Sequence, residues 1–180
     1  MPRNWVNNIV VENAEIEYPS FSGEETPNNR EGRRGLNLVI RDPEQAQILA
    51  GDGWLIKHRD TKDGGNDEYD YLPVAIRFDK YPPNIYLVNP DIPEPILLTE
   101  DGVSQLPEYP RAYENIDIEI SPSFWGPING KSGIKAYVKN MYVKVRPGEY
   151  PAKPREKRNV NPFAAKYGQV PSGDEVPFDI

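Results

Sequence analysis

Apolar and polar residues alternate along much of the chain, which is the pattern of half-buried β-strands. The clearest alternation begins at Asn115, after which isoleucine occupies every second position as far as Ile120. The same period of two recurs in residues 9–18, 36–41, 71–78 and 85–88. The pattern therefore predicts a mainly β protein of about five or six short strands.

One segment has the signature of a helix instead. Asp42 is a good N-cap, Pro43 suits the first helical position, and Gly51 is placed to end the helix. The apolar residues of this segment fall on one side, which suits packing against a sheet. A single short helix is therefore predicted at about residues 43–50.

A pair of strands is predicted between Glu114 and Arg146. Their connection, Ser121 to Gly133, is rich in proline and glycine and is predicted as a loop. In the second strand, the apolar positions up to Val138 are out of phase with those from Met141 onward. One extra residue would reconcile the two phases, so a β-bulge is predicted near Asn140.

The remaining segments define the organisation of the chain. The proline-rich stretch Asn89 to Arg111 is predicted to cross the domain with a short strand at most. From Gly148 onward the chain is again proline-rich and poor in aliphatic residues, so it cannot form a core of its own. We therefore predict one domain in residues 1–148 and a flexible tail in residues 149–180, basic near the domain and acidic at its tip.

These elements are typical of an OB-fold-like barrel of five to six strands, with one short helix and an irregular C-terminal tail. A length of 180 residues is enough for one such domain with a real core. A β-sandwich of similar strand count fits the same periodicity.

The composition excludes several classes of protein. The chain has no cysteine and one histidine, so disulfides are excluded, a closed zinc site is disfavoured, and no metal or other cofactor is expected. No apolar run approaches the ~20 residues that span a bilayer. Residues 1–8 also lack the hydrophobic centre of a signal peptide. The protein is therefore expected to be soluble and cytoplasmic, with no membrane partner.

The net charge of −7 counts against binding to a polyanion. Affinity for a polyanion follows the local potential and not the total charge. Binding to nucleic acid would therefore require the positive side chains to be collected on one face.

The predicted strand pair carries such a combination of cationic and aromatic side chains. Lys135, Tyr137 and Lys139 share one face of the second strand, and the connecting loop carries Phe124 and Trp125. Single-stranded nucleic acid offers flat bases to aromatic rings and phosphates to cations. The residues predicted to stack bases or contact phosphates are Phe124, Trp125, Tyr137, Lys131, Lys135, Lys139, Arg33 and Arg34. The alternatives are a Trp125 folded back onto the core and lysines on a plain solvated strand face.

The order of these elements resembles that of a known family. A strand preceded by Gly35, a following helix, a central sheet and a final Trp-tipped hairpin are similar to the phage-encoded single-stranded DNA-binding proteins built on an OB-fold. The resemblance covers most of residues 8–146 as a pattern. It implies a non-catalytic protein that coats and protects exposed strands in phage replication or recombination. It also implies a location in the host cell cytoplasm.

The end of the chain, DEVPF, is similar to the acidic tails by which bacterial single-stranded DNA-binding proteins recruit replication and repair partners. It differs from those tails because Phe178 is followed by two further residues. The resemblance implies autoregulation, or binding of replication or recombination proteins, through the tip. The residues concerned are Asp174, Glu175, Pro177, Phe178 and Asp179.

Two other classes of function are open. A structural or interaction protein of a virion could use the same aromatic loop to contact protein, and the acidic charge favours it. A hydrolase or metal-dependent nuclease could use Asp117 and Glu119, but no His or Lys lies beside them in the strand pattern and no phosphate-cradling loop is present. The single histidine, His58, is predicted as a surface or groove residue, and the acidic residues after it lack the spacing of a calcium loop. The chain is therefore predicted not to be an enzyme.

Overall fold

A computed structural model of the chain describes residues 6–25, 30–60, 68–79 and 82–151. The division into a domain of residues 1–148 and a tail stays a prediction, because almost all of that tail lies outside the described ranges. Outside them also lie the predicted partner-binding residues Asp174, Glu175, Pro177, Phe178 and Asp179. The described chain continues to Pro151, and the hydroxyl of Tyr150 donates a hydrogen bond to the carbonyl of Gly102 (3.2 Å).

Nine strands of the described chain form one mixed sheet. They are β1 (Ile9–Val11), β2 (Ile16–Ser20), β3 (Arg34–Ile40), β4 (Lys57–Arg59), β5 (Tyr69–Ile76), β6 (Asn84–Val88), β7 (Ile96–Leu97), β8 (Tyr113–Ile128) and β9 (Lys131–Val145). The helices are α1 (Pro43–Asp52), α2 (Glu100–Ser104) and a 3₁₀ helix (Pro110–Ala112). The mainly β class predicted from the alternation is confirmed.

The sheet bends into a partly open barrel of OB type. Its hydrogen-bonded order is β1-β8-β9-β5-β3-β2, and the two ends of that order are consecutive along the chain. Between them, the amide of Ala14 donates to the carbonyl of Ile116 in β8 (2.7 Å), and the amide of Val39 in β3 donates to the carbonyl of Glu15 (2.9 Å). Residues 9–20 are thus one bent strand that pairs first with β8 and then with β3. The predicted OB-fold-like architecture is confirmed, with the chain itself joining the ends of the sheet.

The described strands number nine instead of five or six for two reasons. The bend divides the first strand into β1 and β2. In addition, the short strands β4 and β7, of three and two residues, join the sheet at β5 and β6.

Inward-facing side chains of the alternating strands form one continuous core. Among the least exposed are Leu72, Ile85, Ile120, Met141 and Val143. In the β8–β9 pair, Glu119 lies opposite Asn140, whereas the next residue, Ile120, lies opposite Val138. Lys139 is therefore the extra residue, and the β-bulge predicted near Asn140 is confirmed. The bulge allows the two out-of-phase apolar sets of β9 to face the same core.

The prediction of a single helix was incomplete. Helix α1 has the predicted N-cap, because the carboxylate of Asp42 accepts a hydrogen bond from the amide of Glu44 (3.0 Å). It ends at Gly53 and not at Gly51, because Gly53 takes the left-handed conformation (φ 107°) that closes a helix. Helix α2 was missed. Its five residues are too few to show a helical period, and its cap, Thr99, lies within the proline-rich stretch Asn89 to Arg111.

The predicted loop Ser121 to Gly133 was wrong, because both strands continue through it. Strand β8 extends to Ile128 and β9 begins at Lys131. The two residues between them, Asn129 (φ 52°) and Gly130 (φ 76°), both have the positive φ of a type I′ hairpin turn. The Asn-Gly pair is the sequence signal that the proline and glycine content obscured. We call residues 121–137 the hairpin arm.

Candidate nucleic-acid interface

Side chains of the hairpin arm point alternately to the two faces of the sheet. We call the face directed away from the core the outer face. Trp125 lies on it, because its cross-strand partner is Gly133, two residues before Lys135. Phe124 lies on the opposite face, paired with the buried Ile134, and is 45 % exposed. The structure therefore does not bring Phe124 and Trp125 together as one stacking platform.

The indole of Trp125 lies against the backbone of Gly133. A Cβ atom added at Gly133 would lie 2.9 Å from Cζ2 of Trp125 and 3.1 Å from its Nε1. Only glycine leaves room for this close approach. The indole nevertheless remains 39 % exposed, so it is held by the strand and still accessible to a ligand.

Tyr137, which the sequence predicted to stack a base or contact phosphate, is only 5 % exposed. Its ring is covered in part by Lys135, whose Nζ atom lies 5.4 Å from the ring centroid. The tyrosine therefore supports the lysine by a cation–π contact and does not offer a face of its own. Lys135 itself is exposed on the outer face.

The other predicted lysines are exposed at two places on β9. Lys131 lies at the end of the arm, paired with Ile128. Lys139 occupies the bulge. Near it, hydrogen bonds from Asn8 and then Asn140, with a smaller contribution from the Lys139 charge, hold the pKa of the Glu119 carboxyl below its usual value. Lys139 is thus close to an acidic group.

Arg34, one of the residues predicted to stack bases or contact phosphates, is hydrogen-bonded within the protein. Its guanidinium donates to the carbonyl of Phe21 (2.8 Å), to Glu100 (2.7 Å) and to the hydroxyl of Ser104 (3.0 Å). These bonds tie α2 to the connection after β2, on the face of β3 that carries Leu36. Arg33 is exposed at the end of that connection.

A cluster of tyrosines and arginines that the sequence reasoning missed lies on the outer face of the OB strands. The guanidinium of Arg59 lies 4.9 Å from the ring centroid of Tyr18 and 5.9 Å from that of Tyr69. The guanidinium of Arg41 lies 5.1 Å from the ring centroid of Tyr69. Tyr71 makes an edge contact with Tyr69, with centroids 6.1 Å apart. We call Tyr18, Arg41, Arg59, Tyr69 and Tyr71 the Tyr–Arg cluster.

The cluster combines order with accessibility. Arg59 donates hydrogen bonds to the hydroxyls of both Tyr18 and Tyr69, and Arg41 pairs with both carboxylate oxygens of Glu15. Tyr18 remains 57 % exposed. These residues lie on β2, β4 and β5 and directly after β3, so periodicity within one segment could not find the cluster. The available signal was the high frequency of tyrosine in the predicted strands.

The Tyr–Arg cluster and the hairpin arm share one continuous outer face. Tyr137 of β9 lies beside Ala75 of β5, which lies beside Gly35 of β3. The small residues Ala75 and Gly35 form a floor between β9 and β2, which carries Tyr18. Tyr71 lies four residues before Ala75 along β5. Trp125 lies four residues after Ser121, the register partner of Tyr137, along β8. Because β5 runs parallel and β8 antiparallel to β9, Trp125 and Tyr71 are displaced from this row in the same direction along the strands.

Comparison with known proteins identifies the family. Residues 2–175 match the model of a family described as "Putative phage ssDNA-binding domain". The chain belongs to this family. The resemblance found in the sequence to phage single-stranded DNA-binding proteins is thereby confirmed.

Solved structures resemble this member of the phage ssDNA-binding domain family at low identity. One is the single-stranded DNA-binding protein of bacteriophage Enc34 in complex with ssDNA, at 14 % identity over 77 % of this chain and 86 % of that chain (TM-score 0.48). Another is a structure of the single-stranded DNA-binding protein from bacteriophage Enc34, at 13 % identity over 88 % of this chain and 89 % of that chain (TM-score 0.48). No curated protein matches the sequence. Membership rests on the family model.

Asp117 and Glu119 serve the structure of this phage ssDNA-binding domain. One carboxylate oxygen of Asp117 accepts hydrogen bonds from the amide of Asn13 (2.9 Å) and the side chain of Asn115 (3.0 Å). Glu119 accepts from the side chains of Asn8 (3.0 Å) and Asn140 (2.8 Å). The bonds from Asn8 and Asn13 connect the first segment of the chain to β8. The bond from Asn140 connects β9, beside the bulge, to Glu119 of β8. The two carboxylates considered for a nuclease are therefore already used in hydrogen bonds.

His58 is exposed beside three acidic side chains. Its Nδ1 atom lies 2.9 Å from Asp70, and its Nε2 atom lies 2.9 Å from Asp60 and 4.0 Å from Glu68. Ligand atoms of His58, Asp60 and Glu68 lie within 4.8 Å of one another, close enough for one cation. Exposed carboxylates often surround a histidine without a metal, and we assign none. In the part of the chain that the structure describes, no helix is long and apolar enough to cross a membrane.

We expect His58 to titrate above its usual pKa of 6.5, because the hydrogen bond to Asp70 and the charges of Asp60 and Asp70 favour its protonated form. A folded-state pKa above the unfolded value stabilises the fold below pH 6.5, and this stabilisation is lost as the pH rises through the folded-state pKa. NMR titration of the imidazole measures the midpoint. Asp70→Asn should lower it, whereas Asp79→Asn, beside Arg77, should not. A wild-type midpoint at or below 6.5 would contradict the geometry.

Proposed function

We propose that the protein binds single-stranded DNA along its outer face, from the Tyr–Arg cluster to the hairpin arm. The observation that carries this proposal is the placement of cations over or beside accessible aromatic rings at both ends of one face. Arg59 lies over the exposed Tyr18 at one end, and Lys135 lies on the same face as the exposed Trp125 at the other. Membership in the phage ssDNA-binding domain family supports the same conclusion.

Each end of the face supplies both interactions that a single strand needs. Tyr18 and Trp125 offer ring faces to bases, and each stacked base contributes about 1–3 kcal/mol. Phosphates lie between successive bases and would meet the cations of the same face. Those cations are Lys57, Arg59, Lys131 and Lys135. Positive charge collected in this way can attract a polyanion in spite of the net charge of −7.

Single-stranded DNA fits this face better than a duplex does. Bases of a duplex are stacked on one another and paired, so their flat faces are not available to Tyr18 or Trp125. The small residues Gly35 and Ala75 leave the floor between the two ends shallow and open. A single strand could therefore cross the floor while its bases reach the aromatic residues at either end.

The biological role that follows is the coating and protection of exposed strands during phage replication or recombination, without catalysis. Such DNA is handled in the host cytoplasm, which would be the site of action. The acidic tip of the tail, outside the described residues, would regulate the DNA face or bind replication or recombination proteins.

Titration of the protein with fluorescent oligo-dT at several salt concentrations tests the proposal. Affinity should fall as salt rises, with a log–log slope of about −0.7 for each phosphate contacted by a cation. Arg59→Gln should make the slope shallower by about one such unit, because one contact is removed. Lys144→Gln, which removes a lysine remote from the Tyr–Arg cluster and paired with Glu114, is the matched control and should leave it unchanged.

Absence of oligo-dT binding at low salt would overturn the proposal. The exposed side chains of the arm would then favour the second candidate function, a virion protein that binds protein through this element. Phe124 is 45 % exposed and Ile128 is 62 % exposed, which suits an apolar protein contact.

A further inference from the structure

A second aromatic surface lies on β6, β7 and β9, on the other side of the bulge from the hairpin arm. The rings of Tyr86 and Tyr142 are stacked, with centroids 4.7 Å apart and planes inclined by 14°. Leu97 is the register partner of Tyr86 and extends the surface at the β7 edge. Leu97 is 55 % exposed and Tyr142 is 40 % exposed. We call these three residues the tyrosine patch.

A polar row separates the tyrosine patch from the DNA face. The side chain of Asn84 donates to Asn140 (3.1 Å), and the side chains of Asn140 and Asn8 both donate to Glu119. Five residues along β9 separate Tyr142 from Tyr137, a distance of about 16 Å. The patch is therefore a surface of its own and not an extension of the proposed DNA path.

The charges around the tyrosine patch are unsuited to DNA. Asp117 is the register partner of Tyr142, and Glu119 lies one pair further along the same face of β8. The lysine next to the patch, Lys144, is paired with Glu114 (3.3 Å). An acidic rim around apolar rings repels a polyanion and attracts a basic peptide.

A basic segment of this chain begins close to the patch. The hydroxyl of Tyr150 bonds to the carbonyl of Gly102, and Gly102 lies against the side chain of Leu98, the neighbour of Leu97. The chain therefore leaves the described structure a short distance from the patch. Residues 152–158, AKPREKR, carry four basic side chains and one acidic one. Extended at ~3.3 Å per residue, seven residues reach about 23 Å.

We propose that residues 152–158 dock on the tyrosine patch of the same chain. Pro154 would pack on the stacked rings, as proline-rich peptides do in aromatic-lined grooves, and the basic side chains would lie beside Asp117 and Glu119. Attachment a few residues away gives the segment a high effective concentration at the patch, so weak contacts suffice. This docking holds the basic part of the tail away from the DNA face and leaves the acidic tip free.

Paramagnetic labelling of the full chain tests the docking. The protein has no cysteine, so a nitroxide on Asn159→Cys is the unique label. We expect the amide signals of Leu97 and Tyr142 to lose most of their intensity, whereas that of Tyr71, further away on the DNA face, stays sharp. The double substitution Lys153→Glu and Arg155→Glu should restore the signals of the patch. Lys166→Glu, which changes a lysine of the tail outside the docked segment, is the control and should not restore them.

Three results would overturn the proposal. Broadening at Tyr71 in place of Tyr142 would mean that the segment lies on the DNA face. Unchanged signals at Leu97 and Tyr142 would mean that it does not dock. Broadening of an isotope-labelled chain by a separate nitroxide-labelled chain would mean that docking occurs between copies. Oligo-dT affinity of the same variants is an independent measurement, so loss of docking and loss of DNA binding can be told apart.

Discussion

Replacing Trp125 by alanine weakens the binding of oligo-dT about 5- to 150-fold, which corresponds to one lost base stack of about 1–3 kcal/mol. Tyr18→Ala has an effect in the same range for the same reason. Because the two residues lie at opposite ends of the outer face, their effects add in the double variant. Fluorescence anisotropy at one fixed salt concentration measures all three constants.

The hairpin arm provides the matched control for this prediction. Phe124 is as exposed as Trp125 and is its neighbour in the chain, but its side chain points to the opposite face of the sheet. Phe124→Ala should change the affinity less than twofold, although the sequence predicted that Phe124 stacks a base. An equal loss for Phe124→Ala and Trp125→Ala would show that DNA uses the arm without regard to its faces, and the proposed path would be wrong.

Phe21→Ala lowers the free energy of unfolding by about 3–5 kcal/mol, because it leaves a large cavity in the core. Phe21 is completely buried and makes an edge contact with Tyr113, with centroids 6.3 Å apart. At about 2–4 °C for each kcal/mol in a protein of this size, the midpoint of thermal unfolding falls by roughly 6–20 °C. Scanning calorimetry or circular dichroism measures the change.

Val10→Ala is the control for this stability prediction. Val10 is 69 % exposed on the outer face of β1, so its truncation should alter the free energy of unfolding by less than about 0.5 kcal/mol. A loss of similar size in both variants would contradict the assignment of Phe21 to the core. The backbone of Phe21 also bonds to Arg34 and Glu108, so the larger loss should include loosening of the connection after β2.

Alternation in the sequence predicted those parts of the fold that depend on burial. Ile116, Ile118 and Ile120 face the core as their spacing requires. The change of phase before Met141 located the bulge to within one residue, because a strand with one buried face has no other way to reconcile two apolar phases. The N-cap at Asp42 was equally predictable, since capping depends on neighbouring residues alone.

Features that depend on contacts between distant segments were not predictable in this way. Arg59 meets Tyr18 and Tyr69 only because β4 and β2 come to the same end of the barrel. Arg34 was assigned to DNA because its charge is visible in the sequence, whereas its bonds to Glu100 and Ser104 depend on an unpredicted helix. Tyr137 was on the predicted face, but its burial depends on the neighbouring strands.

The bulge at Lys139 makes β9 two strands of opposite parity joined end to end. Odd-numbered residues face outward before it and even-numbered residues face outward after it, so Lys135 and Tyr142 can serve the same side of the sheet. Each half of β9 therefore has its own alternation of inward-facing and outward-facing positions. The chain can thus present a cationic surface and an acid-rimmed aromatic one along a single strand, with no shared position between them.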